Sequence, residues 1–213
     1  MWLGKYACIA VVVLMLEFGG VSPALAQSEC HAPRSDESYG PYDYTNTQQR
    51  SNHLSVVEEY HFTDDIEFLR LGSKRRLGQH IDYTLRAFPN HHRALRAMTN
   101  LVRRADTQRP AGMRFSLDCW FWRATQFQPD DGTVPMIHGM YFYDEGDYEK
   151  ARERMQAGLK ITPDSRNIHY NIGLVYAELG RYGEARRHAR EAYNQNFPLD
   201  GLRRKLQAAG EWE

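Results

Sequence analysis

Hydrophobic and polar positions divide this chain into stretches of different character. Ala7 to Leu16 is one apolar run. From Gln27 to about Phe62 the chain is polar and turn-rich, with Pro33, Gly40-Pro41 and a Tyr39/Tyr42/Tyr44 cluster, and it sustains no helical period. Residues 27–62 are therefore expected to form an extended polar arm. Thr63, followed by Asp64, Asp65 and then Ile66, Phe68 and Leu69, predicts a capped helix start, with the acids near the positive end of the helix dipole. Everything beyond reads as helix, so residues 63–213 form one all-α domain. In the last segment, Asp200 to Trp212, Leu202 and Leu206 lie on one side and Arg203, Arg204 and Lys205 elsewhere, as in a terminal capping helix.

Comparing residues across a step of 34 gives the organisation: Gly139 with Gly173, Gly146 with Gly180, Tyr148 with Tyr182, Ala151 with Ala185, and Gly158 with Ala192. The small residues let antiparallel helices approach, Gly146 and Gly180 permit the turn, and Tyr148 and Tyr182 pack over it. Pro-Asp or Pro-Asn pairs at Pro163, Pro129 and Pro89 mark helix exits; the last two are 40 residues apart, so an earlier repeat carries an insertion, which fits Thr107 to Gly112. Leu77 to Phe88 supplies an opening half-repeat.

The segments HGMYFYDEGDYEKARERMQAGLKITPD and YNIGLVYAELGRYGEARRHAREAYNQNFP resemble tetratricopeptide repeats in their Gly, Tyr, Gly-x-Tyr and Ala pattern. The resemblance implies a right-handed α-solenoid of about three helix pairs, in which each unit buries its apolar face against its neighbours. Through GPYDY, IDYTLRAFPNHHRAL and NFPLDGLRRKLQAAGEW the chain also resembles a group of exported proteobacterial tetratricopeptide proteins. Some of that group are described as transporter permeases; no span here could form a pore, so that role is not expected.

Charge and cysteines refine the picture. Lys plus Arg and Asp plus Glu are each 27, so no global field draws the chain to nucleic acid or anionic lipid. Lys5, the apolar run and the small-residue exit Ala24-Leu25-Ala26 read as a signal peptide, residues 1–26, leaving a mature chain in the periplasm or outside the cell. Cys8 leaves with it. Cys30 and Cys119 remain, one possible intramolecular pair in an oxidising compartment, and a disulfide between them would clasp the arm to the helices.

Candidate chemistry is sparse. His91 and His92 point about 100° apart on a helix and no HExxH or CxxC spacing exists, so they read as solvated helix-start residues; His138 and His169 read as packing residues. Asp144-Glu145-Gly146-Asp147 lacks the calcium-loop ladder and coincides with a repeat turn. There is no GxSxG and no phosphate loop, so no enzyme, cofactor or metal is expected.

In tetratricopeptide arrays the first helix of each pair lines a concave groove. Carried over by register, the groove is Arg93, Arg96, Asn100 and Arg103, then Met136, Met140 and Tyr143, then Tyr170 and Leu174: a basic end and an apolar middle, suited to a peptide or partner helix with an acidic end. The alternative for these residues is a solvated arginine face above a Met/Tyr core. The expected function is protein interaction or scaffolding in the cell envelope; an enzyme subunit using clustered His or acidic residues, or a self-associating structural protein docking through the arm, are the rivals.

Overall fold

The computed structural model describes residues 30–212. The signal segment expected at 1–26 lies outside the described residues. Among them there are ten helices and no strand: α1 Thr47–His61, α2 Asp64–Glu67, α3 Lys74–Ala87, α4 His92–Ala105, α5 Leu117–Phe127, α6 Thr133–Asp144, α7 Tyr148–Ile161, α8 Arg166–Glu178, α9 Tyr182–Asn194 and α10 Gly201–Ala208. No helix among them is long and apolar enough to cross a membrane.

Local chemistry sets half of the helix starts. Ser73, Asp147 and Ser165 each accept a backbone N–H three residues on, satisfying a donor the helix leaves open. In α3, Leu77, Ile81 and Leu85 recur at a spacing of four and are fully buried, each contributing about 1.5–3 kcal/mol of burial. α6 pairs with α7 around Gly146 and α8 with α9 around Gly180. Both glycines have positive φ, +78° and +70°, with open space around them, so conformation rather than room requires glycine.

Packing then follows the small residues. A Cβ added at Gly139 would lie 2.6 Å from Met155 Cγ and 3.0 Å from the Ala151 carbonyl oxygen; one at Gly173 would lie 2.5 Å from Leu202 Cδ2. Ala151 and Ala185 are fully buried in the same contacts, and Ala192 is fully buried further along α9's packed face. The first helices α4, α6, α8 and α10 also pack side by side, and Leu202 and Leu206 of α10 close the last unit. Two hydrophobic cores, one centred on α3 to α6 and one on α7 to α10, share Met140 and Phe142 at their boundary, so the array is continuous.

The arm departs from expectation. Its backbone is irregular only to Asn46; residues 47–61 form α1, started by Asn46, whose side chain accepts from Gln48 and Gln49 N–H. α1 packs on α3 through Val57, and the His61 and Tyr83 rings stack at 3.8 Å. Its apolar residues are too few and too scattered to show a period, which is why the sequence did not disclose it. α2 is one turn long and ends where Leu69 takes φ +54°.

The arm lies across α3, α4 and α5. Cys30 and Cys119 form a disulfide, Cα to Cα 5.7 Å. Beside it the Arg123 guanidinium, 1% exposed, donates to the Glu37 carboxylate at 2.5 Å and lies over the Phe115 and Trp120 rings. Farther along, Tyr42 N–H donates to the Ala87 carbonyl at 2.8 Å, and Gly40 sits so close to that carbonyl that a Cβ would be 2.4 Å away. Asn90, fully buried, ties three segments together: it accepts from Tyr44 N–H and donates to Asp43 and Asp131, while Gln128 donates to Asp43.

Here the reading of His91 and His92 as solvated is corrected. His91 is fully buried because its Nδ1 caps α4, accepting from Ala94 N–H, while its Nε2 donates to Glu58 at 3.0 Å. His92 Nε2 donates to the buried Asp131 carboxylate at 2.7 Å. Both hold the junction between the arm and the repeats.

Candidate interaction surface

The first helices carry the residues expected to form a groove, and their positions differ in a regular way. On α4, Arg93, Arg96 and Arg103 project from the face opposite the buried Leu95, Met98 and Val102. None is a bare cation. Arg93 pairs with Glu58 and Glu67, Arg96 with Asp144 at 2.8 Å, and Arg103 with Glu145 at 2.9 Å and with Asp144. The Glu67 hydrogen bond raises the Arg93 pKa further above its ordinary value. The expectation of a basic end is therefore corrected: acids from α1, α2 and α6 neutralise it.

On α6 and α8 the expected strip divides. Met136 and Tyr170 are buried at 7% exposure, Met136 near Asn171 and Tyr170 stacked on Phe197 at 4.3 Å, so neither is open to a partner. Met140, Tyr143 and Leu174 are half-buried, as is Asn100.

One polar contact recurs from repeat to repeat. Arg103 of α4 forms an ion pair with Asp144 of α6 at 3.5 Å; Tyr143 of α6, the repeat equivalent of Arg103, donates to Glu178 of α8 at 2.8 Å. Asp144 and Glu178 are 34 residues apart in the chain. Lys205 of α10 completes the series by donating to Glu178 at 2.8 Å. Burial, and then the Glu178 carboxylate, push the Tyr143 phenol well above its ordinary value, so it stays a donor. Burial works against the Glu178 charge, but the Lys205 and Tyr143 hydrogen bonds hold its carboxyl below the usual range. The arrangement fixes neighbouring first helices edge to edge; it activates no nucleophile. Among the described residues, no group of three or more His, Cys, Asp or Glu side chains is placed to hold a metal.

The sequence reading missed Glu58, Glu67, Asp144, Glu145, Glu178 and Lys205. For Asp144 and Glu178 the signal was present, a further acidic coincidence at the repeat step. For Glu58 and Glu67 there was none, because they reach Arg93 from outside the repeats.

Two family models match this chain: one described as TPR repeat over residues 139–180 and one described as Tetratricopeptide repeat over residues 167–196. With the helix pairs and turn glycines at the same positions, residues 139–196 are tetratricopeptide repeats, and such repeats support protein interaction or scaffolding. Similar solved structures include MamA AMB-1, 15% identical over 71% of this chain and 85% of that one with a TM-score of 0.42, and a crystal structure of MamA, 14% identical over 78% and 85% with a TM-score of 0.44. A likeness at that level carries nothing about what this chain binds. No curated protein matches it.

Proposed function

We infer that this protein is an exported scaffold that holds a peptide or partner helix in a concave groove lined by α4, α6 and α8, in the periplasm or outside the cell. The observation that carries the reading is the repeated contact between first helices, Arg103 to Asp144 and Tyr143 to Glu178. It fixes three helices side by side, so Asn100, Met140, Leu174 and Asn171 form a strip that needs little further ordering when a partner arrives. An acidic partner would have to displace Glu58, Glu67, Asp144 or Glu145 from the arginines. The strip thus fits a partner that brings amide-bonding and apolar side chains. Export is supported by Lys5, the apolar run from Ala7 to Leu16 and the Ala24-Leu25-Ala26 exit, and by a disulfide of the kind oxidising compartments maintain.

A photo-crosslinking residue placed at Asn100 or Leu174, and as a control at the exposed Arg187 of α9, tests the groove in cells. Adducts with a defined partner from the first two positions alone are expected. Adducts from Arg187 alone, or from none, would remove the groove. Intact mass of the exported protein is expected to begin at Gln27; a mass retaining residues 1–26 would remove the export reading.

A further inference from the structure

The two ends of the array are finished differently. At the C-terminal end α10 shows solvent Arg203, Arg204 and Gln207. At the N-terminal end an open cleft of about 370 Å³ is lined by Tyr39, Val56, Val57, Tyr60, His61 and Tyr83. Tyr60 is 63% exposed and Val56 42%, an apolar surface that solenoid ends ordinarily cover with polar side chains.

Tyr83 of α3 lines the cleft, the His80 ring lies 5.5 Å from that of the cleft-lining His61, and Arg76 stands one turn before His80 on the same face of α3, so a cation lies beside the recess. Lys74, Arg75 and Arg76 are consecutive and exposed. Lys74 donates to the Arg104 carbonyl, whereas Arg75 and Arg76 have no ion-pair partner among the described residues. The nearby Asp82 carboxylate is already taken by Arg86 and Arg114. The first turn of α3 contains no acid, and cations at this end of a helix oppose its dipole, so nothing in the fold itself rewards them. This is the reverse of α4, where the groove arginines all have carboxylates.

We propose that the N-terminal end is a second docking surface, which binds an acidic segment of a partner protein through one aromatic or aliphatic anchor residue. The anchor enters the cleft between α1 and α3, and its flanking carboxylates meet Arg75 and Arg76. A protein segment fits better than a bilayer because the apolar groups line a recess, which receives a side chain, rather than a ridge that inserts. The surface is separate from the α4, α6 and α8 strip and does not depend on it.

The test is selection of a random peptide display library on the mature protein, followed by fluorescence anisotropy of the enriched peptides. Enriched sequences are expected to place Asp or Glu within a few residues of an aromatic or aliphatic residue. Arg76→Glu and Tyr60→Ser are each expected to weaken them about tenfold or more, and Asn100→Ala to leave them unchanged. Both substituted side chains are exposed, so helicity and melting are expected to match the parent; Arg75→Glu serves if either variant unfolds. No enrichment, enrichment of neutral or basic peptides, or affinities indifferent to these variants would overturn the proposal. So would Arg76-dependent binding to phosphatidylglycerol vesicles without peptide enrichment, which would assign the surface to a membrane.

Discussion

The regular half of the molecule, α6 to α9, and the irregular half, the arm to α5, are held together by different means. In the regular half every unit touches the next through small residues and a turn glycine, at contacts short in sequence. In the irregular half the ties are long: Cys30 to Cys119 spans 89 residues, Arg123 to Glu37 86, and Gln128 to Asp43 85. The loop between α4 and α5, residues 106–116, stretches one helix pair beyond the usual tight turn, and the arm spans the units that this loop separates. Nearest-neighbour packing builds a repeat array where spacing is regular; where an insertion breaks the spacing, buried polar contacts from distant sequence take over.

Arg123→Ala strikes the irregular half hardest. It takes the nearest guanidinium from the buried Glu37 carboxylate, leaving His31 at 3.2 Å and Arg34 at 3.7 Å, and a loss of about 3 kcal/mol is expected in denaturant unfolding. Double replacement, Arg123→Met with Glu37→Leu, is expected to recover most of it; failure of that rescue would mean that the pair does more than neutralise itself.

Gly139→Leu is the matching blow to the regular half, since Met155 and the Ala151 carbonyl leave no room for a side chain. A loss of about 1–3 kcal/mol or more is expected. An unchanged midpoint would show that α6 and α7 slide apart without cost.

Acid distinguishes the halves next. His169 Nε2 donates to the Pro163 carbonyl, so its Nδ1 accepts from His188 Nδ1 at 2.9 Å between α8 and α9. Burial, then the neighbouring His169, lowers the His188 pKa to about 4 from an ordinary 6.5. The folded value lies below the unfolded one, so this stability is complete above pH 6.5 and declines as pH falls toward 4. Between pH 8 and pH 5 the group is expected to lose about 2 kcal/mol, checked by melts across that range, and His188→Gln is expected to remove about that much of the dependence, leaving the part that the buried His91 and His138 carry. An equally steep curve in the variant would place the acid sensitivity elsewhere, for instance at the buried His91. The smallest effect is a control: Gly183 in α9 has open space around it, so Gly183→Ala is expected to be neutral or to add up to about 1 kcal/mol, read from the same melts.

What the sequence made legible follows the same division. Gly146, Gly180, Ala151 and Ala185 announced their roles because a repeated structural need leaves a repeated residue, and Leu202 with Leu206 marked the cap. The two cysteines limited the clasp to one pairing. α1 was hidden because its stability comes from contacts with α3 and His91, not from its own period. The arginines of α4 were read as a free basic surface because Glu58 and Glu67 lie in segments whose placement no spacing rule reveals. The burial of Met136 and Tyr170 shows the same limit: register assigns a residue to a helix face, but the neighbouring element, Phe197 for Tyr170, decides whether that face is open.

Hydrogen exchange read by mass spectrometry, before and after reduction and alkylation of Cys30 and Cys119, tests most directly whether the two halves are held by different means. The account predicts that residues 30–46 lose protection first and α1, α3 and α5 partially, since the Asn90 and Glu37 contacts persist, while α6 to α9 exchange as before. Uniform loss across both halves, or no change in the arm, would contradict it.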